Sequence, residues 1–381
     1  MPNYFLPAVK YIVLSLVCFI LSKPLIAQDS LQVRLGGALR FNYLYNSWDQ
    51  QQRDQGGAIL YDVLLLNVKA AYKNVLLDAE YRQYAASFGG GFLKHAWMGY
   101  EFREGEQIQV GLASVPFGLQ PYASNNWFFN IGYYVGLEDN YDMGIRYLRR
   151  KEHWDYDIAF FKNAETLDVG GDVELSYSRF AYDVVGRNKK NNQVNGNLVY
   201  KTLGTVKQRI GISGQYGGIY NMDTQDVGNH YAGALAYEAD YRKWNLKASF
   251  VHAVMNPRNA EGESNEVIEM AAYGSAYEVA TNFNLYTFGV SRRMDINRGI
   301  LKQLTAYNDF GYMQKARRAF ENSYMNVTGV RANIGPVITY VEYAAGYNHS
   351  WFGGNFVDDF SRGNPDAKLQ GRFNINLGYY F

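Results

Sequence analysis

Three groups of residues in this 381-residue chain are of types that could do chemistry. Asn348-His349-Ser350, with His95 and His230 elsewhere, supplies a base and a hydroxyl that a hydrolase could use. No Gly-x-Ser-x-Gly elbow, His-Glu-x-x-His pair or paired-carboxylate spacing accompanies them, so the reading is no enzyme. Asp168-Val-Gly-Gly-Asp172 and Asp358-Asp359 could ligate a metal, but the ligand spacing of a calcium loop is absent. They read as solvated acids, and no metal or cofactor is expected. The third group is the largest: arginines, lysines and carboxylates on alternate positions of long polar–apolar stretches. Such fixed charges act on ions through their field alone, without covalent chemistry.

Side chains that alternate in twos require strands to position them. In VRLGGALRFNYLY, Val33, Leu35, Leu39, Phe41, Tyr43 and Tyr45 share one face and Arg34, Arg40 and Asn42 the other. The terminal GRFNINLGYYF repeats this, with Phe373, Ile375, Leu377, Tyr379 and Phe381 opposite Arg372, Asn374, Asn376, Gly378 and Tyr380. The chain is 48% hydrophobic with a mean hydropathy of −0.31, so its apolar residues are diluted by polar ones. Short breaks, such as Lys73-Asn74, Arg242-Lys243 and Gly335-Pro336, take turns with long ones, roughly 47–57, 86–91, 116–140, 164–191, 221–229, 255–281, 314–324 and 348–368. About sixteen strands result: 32–46, 59–72, 75–86, 92–102, 107–115, 141–150, 154–163, 192–203, 208–220, 230–241, 244–254, 282–293, 302–313, 325–334, 336–347 and 369–381. Strands 59–72 and 325–334 mix their faces, which leaves their registers open.

A soluble sandwich also alternates. These strands are long, however, and aromatics gather at their ends, as at Tyr72, Tyr100, Phe102, Trp154, Tyr156, Tyr241 and Trp244. Girdles of aromatic residues at two membrane interfaces produce that pattern. In hydrocarbon an unpaired strand edge is costly, so the sheet must close and the last strand must pair with the first. The expected fold is all-β: a transmembrane antiparallel β-barrel with short periplasmic turns and long extracellular loops.

The first residues fit export. A weakly basic start, the apolar YIVLSLVCFIL and a small-residue exit at Ala27 read as a secretory signal peptide, residues 1–27, ahead of a barrel domain over 28–381. Removing it takes away the only cysteine together with Lys10 and Lys23, leaving 35 basic against 36 acidic residues. A near-neutral chain without a thiol has no zinc-thiolate site and no electrostatic reason to bind nucleic acid.

HAWMGYEFREGEQIQVGLASVPFGLQ, His95 to Gln120, resembles the outer-membrane porins of the phosphate-selective O and P type, through Gly111 and the Val115-Pro116-Phe117-Gly118 motif. YDMGIRY, Tyr141 to Tyr147, is similar to the strand that follows in that family, and Phe381 to its C-terminal assembly signal. The resemblance implies a sixteen-stranded general or anion porin in the outer membrane of a Gram-negative bacterium, in contact with lipid and usually a homotrimer. It also implies passive diffusion of small hydrophilic solutes or ions, and a third long loop, about 116–140, that folds into the lumen. Pro116, Phe117, Gly118, Asn125, Asn126 and Trp127 are the constriction-loop candidates. A competing placement puts Trp127, Phe128 and Phe129 in a trimer contact or at the mouth.

By parity the inward basic residues are Arg34, Arg40, Lys69, Arg82, Arg146, Arg150, Lys201, Arg209, Lys247, Arg292 and Arg372. The inward acids are Asp78, Glu80, Glu101, Asp142, Asp155, Asp157, Glu238, Asp240, Asp309 and Glu342. The two sets nearly cancel, so the sequence alone does not carry phosphate over as a substrate. Arg34, Arg40, Arg82, Arg146, Arg150, Arg209 and Arg372 are the pore-lining candidates, with Arg40, Arg82 and Arg146 expected to bias passage toward anions. The rival reading pairs each with a carboxylate, Arg82 with Glu80 and Arg146 with Asp142, so that it only stiffens the wall. Two other functions stay open: an outer-membrane hydrolase using His349, and a structural or adhesive barrel plugged by loops 164–191 and 255–281.

Overall fold

The computed structural model describes residues 31–165 and 174–381. The expected signal peptide, Asp168 and Asp172 lie outside the described residues.

The strands are β1 (Gln32–Asn46), β2 (Ala58–Tyr72), β3 (Val75–Gln83), β4 (Gly91–Arg103), β5 (Glu106–Ser114), β6 (Tyr141–Arg150), β7 (Trp154–Ala164), β8 (Asp183–Val184), β9 (Asn188–Lys201) and β10 (Val206–Asn221). They continue as β11 (Val227–Tyr241), β12 (Trp244–Asn256), β13 (Val267–Ala272), β14 (Ser275–Ala280), β15 (Asn282–Arg298), β16 (Leu301–Lys315), β17 (Ser323–Ile334), β18 (Val337–Tyr347) and β19 (Gln370–Tyr380). All except β8, β13 and β14 form one closed barrel of sixteen antiparallel strands. All sixteen expected strands are present, with ends moved by a few residues.

Closure is made by β1 and β19, paired from Ala38↔Tyr380 to Asn46↔Arg372. Gly37 and Phe381 exchange backbone bonds of 2.9 and 3.0 Å at the seam. A side chain at Gly37 would meet the Phe381 ring at 2.7 Å and the Leu65 carbonyl at 2.5 Å, so only glycine lets the terminal ring lie there. The aromatic terminus thus closes the sheet edge.

The outer face is apolar in the middle, with Leu35, Ile158 and Leu235 all more than half exposed. Tyr72, Tyr100, Phe102, Trp154, Tyr156, Tyr241, Trp244 and Tyr379 are exposed around the short-turn end. Such a belt with an aromatic rim suits a bilayer core and its interface.

The mixed faces of 59–72 and 325–334 have separate physical causes. In β2 the register shifts opposite Arg40 and Phe41. A bulge at Asp62 switches parity there, so Ile59 and Tyr61 face outward above it and Leu66 faces outward below it. In β17 no bulge is needed. Met325 and Val327 point inward and are fully buried, because the lumen beside them is filled with protein.

That filling comes from the long loops. The third, residues 115–140, carries the one-turn helix Ile131–Tyr134, and all four of its residues are buried. The sixth folds into the hairpin β13–β14, and β8 of the fourth adds to it at Met270↔Val184. Phe128, Ile131, Tyr182, Met270, Tyr277 and Phe360 from these loops and the eighth join Phe161, Phe283, Leu285, Met313 and Met325 of the wall in one core. Water is excluded from this sector by the same apolar burial that makes an ordinary globular core.

Candidate functional site

The third loop leaves β5 at the Pro-Phe-Gly motif, where Pro116 and Phe117 are buried and Gly118 takes a φ of 63°. From there it is fastened to the opposite wall strand by strand. The Gly118 amide donates to Ser213 Oγ on β10 at 2.8 Å, and Arg209 Nη1 on the same strand donates to the Gln120 carbonyl at 3.0 Å. Lys247 on β12 caps the Tyr122 and Ser124 carbonyls at 3.0 Å each.

Two wall carboxylates complete the seam. Asp309 on β16 accepts from the Asn125 amide, Asn125 Nδ2 and Asn126 Nδ2, each at 2.8 Å, and Glu342 on β18 accepts from the Trp127 amide at 2.8 Å. Within the loop, Glu138 Oε1 accepts from the Ala123 amide at 2.8 Å. Burial, with Asp139 and Asp309 nearby, pushes the Glu138 carboxyl up to about 8 against the opposing pull of that amide and Lys247. Phe128 is only 3% exposed inside the barrel, so this segment packs on the inner wall and not in a contact between copies.

With the loop fastened at these points, a cavity of about 820 Å³ lies between it and the wall, lined from β1–β4 and also from β12 and β15–β19. Asn125, Asn126 and Trp127 line it from the loop, and Arg40, Arg82, Arg331 and Arg372 from the wall, with Lys94 and Lys247. Asp62 and Glu80 are the carboxylates of that lining. Six cations therefore face two acids in the lining, with a third acid, Asp139, pairing with Lys94 from outside it. The near-cancellation of the two sequence sets does not hold at the cavity, because the other acids are spent elsewhere. Asp309 and Glu342 hold the loop, Asp157 holds Arg146 and Arg150, Asp155 holds Lys201, and Glu238 holds Arg209.

The candidates thus separate. Arg40 reaches the cavity paired with Asp62 at 2.8 Å, and Arg82 paired with Glu80 at 2.7 Å. Arg372 lies over the rings of Trp48, Phe352 and Phe128 at 5.3, 5.6 and 5.8 Å, and donates to Asn46 Oδ1 at 2.7 Å. Arg146 is 7% exposed and lies outside the cavity lining; its partner is Asp157 across the β6–β7 pair at 2.6 Å, not Asp142. Asp142 is engaged by Lys190, which also binds Asp183 and so ties the fourth loop to the wall. Arg150 and Arg209 are also outside the lining, and Arg34 is exposed near the short-turn end. Arg292 faces outward, stacked on Trp244 at 5.3 Å, which corrects its inward assignment.

Two contributors escape a parity reading. Lys94 points inward because a bulge between the Glu80↔His95 and Tyr81↔Leu93 pairs leaves it over. Its ammonium pairs with Asp139 at 3.2 Å. Arg331 lies on β17, whose register the sequence leaves open, and its Nε is buried without a hydrogen-bond partner among the described residues.

The rim candidates for other chemistry are not assembled. His349 is buried among the rings of Tyr134, Phe352 and Phe360, which hold its ring well below the usual imidazole range. The Ser350 hydroxyl has no hydrogen-bond partner among the described residues. His95 pairs with Asp78 at 2.9 Å in the wall. No group of three metal-ligating side chains occurs among the described residues.

Comparison of sequences finds no family model and no curated protein that matches the chain. Among solved structures the chain is similar to the outer membrane channel DcaP of Acinetobacter baumannii, with a TM-score of 0.60 at 12% identity over 94% of this chain and 100% of that one. It is similar also to an anion-selective porin from Comamonas acidovorans, with a TM-score of 0.57 at 12% identity over 92% of this chain and 100% of that one. The trimer form of OmpT, an outer membrane protein of Vibrio cholerae, gives 0.58 at 12% identity over 93% and 100%. At these identities the likeness concerns the fold alone: a closed sixteen-stranded barrel of the outer-membrane porin type.

Proposed function

We propose that this chain is an outer-membrane porin that lets small hydrophilic solutes cross passively, with a preference for anions. The observation that carries the reading is the cavity between the third loop and the wall, where six cations meet two carboxylates. In a narrow passage of low dielectric surroundings, that imbalance raises the local anion concentration. The narrower likeness to phosphate-selective O and P porins rests on the His95–Gln120 segment. Export through a cleaved signal peptide and assembly as a homotrimer belong to the same proposal.

A second reading, the plugged structural barrel, is favoured by the core of loop and wall side chains that fills part of the lumen. Single-channel recording of refolded protein in a planar bilayer under a salt gradient separates the two. Open steps with an anion-favouring reversal potential support the porin. Silence from correctly folded barrels supports the plug.

A further inference from the structure

The cavity is lined by more than charge. Tyr122, Phe129, Tyr133, Tyr273, Tyr84 and Phe88 all face it and contact one another in sequence around it. The centroid separations are 5.4 Å for Tyr122–Phe129, 4.3 Å for Phe129–Tyr133, 5.2 Å for Tyr84–Tyr273 and 5.2 Å for Phe88–Tyr273. The Tyr133 and Tyr273 hydroxyls hydrogen-bond to each other and join the two halves. An inorganic anion needs a cationic field and water. A continuous wall of rings is of no use to it.

From this juxtaposition of an aromatic wall with Arg40, Arg82 and Arg331, we infer that the cavity is a binding site for single-ring aromatic carboxylates on their way through the barrel. This deepens the anion-porin reading and rests on it. A carboxylate can take both prongs of a guanidinium, and the buried Arg331 Nε lacks a protein acceptor among the described residues. The ligand's ring then covers Phe88, Tyr122 and Phe129, which keep partial exposure while Tyr84, Tyr133 and Tyr273 back them from the core, in stacked or edge-on contact. Ligand sites of roughly 300–1,000 Å³ hold molecules of this size, and the cavity of about 820 Å³ leaves space for hydrating water and for exit.

The test uses three probes on the refolded full chain in a planar bilayer: benzoate, acetate, which has the charge without the ring, and benzyl alcohol, which has the ring without the charge. Benzoate should reduce the chloride current saturably, at a half-effect concentration at least tenfold below that of acetate, while benzyl alcohol leaves the current unchanged. Arg331→Gln and Phe88→Leu should each narrow the benzoate–acetate gap at least threefold. Phe88 sits at a partly exposed loop position, so its replacement tests the ring without endangering the fold. Equal effects of benzoate and acetate on a conducting barrel overturn the aromatic site and leave the porin reading standing. If folded barrels do not conduct, equilibrium dialysis of benzoate against the detergent-solubilised protein decides. Saturable binding lost in Arg331→Gln then retains the site without the passage, and absence of binding removes it.

Discussion

The barrel interior has two sectors built on the same alternating strands. Along β7 and β15–β17, near the long-loop end, inward side chains are Phe161, Phe283, Leu285, Met313 and Met325, buried against loop aromatics. Around the cavity they are Arg40, Arg82 and Lys94 of β1, β3 and β4, joined by Lys247 of β12 and Arg331 of β17. The difference lies in what covers the wall. Where loops fold in, the wall is the shell of a globular core; where the third loop is held away, it is a charged surface. Asp309 and Glu342 set the division, because they fasten the loop to one side.

The largest test breaks the filled sector. Phe283 is 1% exposed and packed in the core, so Phe283→Ala should cost about 3–5 kcal/mol, as for other large-to-small core changes. Thermal unfolding in detergent should show the loss, while ion selectivity of the surviving barrels stays as in the wild type. A selectivity change of similar size would mean that the two sectors are not separate.

Asp309→Ala attacks the division itself. It leaves three loop donors without an acceptor, at a cost of about 3 kcal/mol for charge-assisted bonds lost together. The freed loop should change single-channel conductance and increase its noise. Unaltered, quiet openings would place the constriction elsewhere.

Glu138 sharpens the comparison through pH. Its carboxyl is raised from 4.5 to about 8 in the folded protein, so the fold favours the proton. The stabilisation is complete below the unfolded value, declines as pH rises above about 4.5 and is gone once pH passes about 8. Asp139, Asp309 and Lys247 also act on this group, and the two acids oppose its ionisation. Openings should therefore become noisier between pH 6 and pH 9 in the wild type, and Glu138→Gln, neutral throughout, should remove the change. A variant with the same pH response would assign it to another group.

The two sectors also differ in how well the sequence reveals them. Sixteen strands and the closing role of Phe381 are legible, since alternation and turn spacing record the barrel directly, whereas the inward third loop is implied only by the resemblance of the His95–Gln120 segment to a porin family. Parity was a weaker guide to facing, for two physical reasons. Bulges at Asp62 and Lys94 switch the alternation. In β15, apolar Phe283 and Leu285 face inward because loops cover them, so reading apolar as outward inverts the strand and sends Arg292 to the wrong face. The hairpin β13–β14 and β8 leave no mark in the alternation, being six residues or fewer per strand inside long loops.

The smallest expected effect is the most specific to the open sector. Arg331 and Arg146 are both inward on the wall, yet only Arg331 lines the cavity. Arg331 has no carboxylate partner among the described residues, so Arg331→Gln removes one of the six lining cations without freeing an acid. The chloride-to-potassium permeability ratio should fall by on the order of twofold, with little change in stability. Arg146→Gln should do the converse: Asp157 keeps Arg150 at 2.8 Å, so selectivity holds while the wall loses the two buried bonds that Arg146 donates to Asp157 Oδ1 and unfolds somewhat earlier. Should Arg146→Gln shift the reversal potential more than Arg331→Gln, ions pass along the β6–β7 side of the lumen, and the cavity that Arg331 lines is not their route.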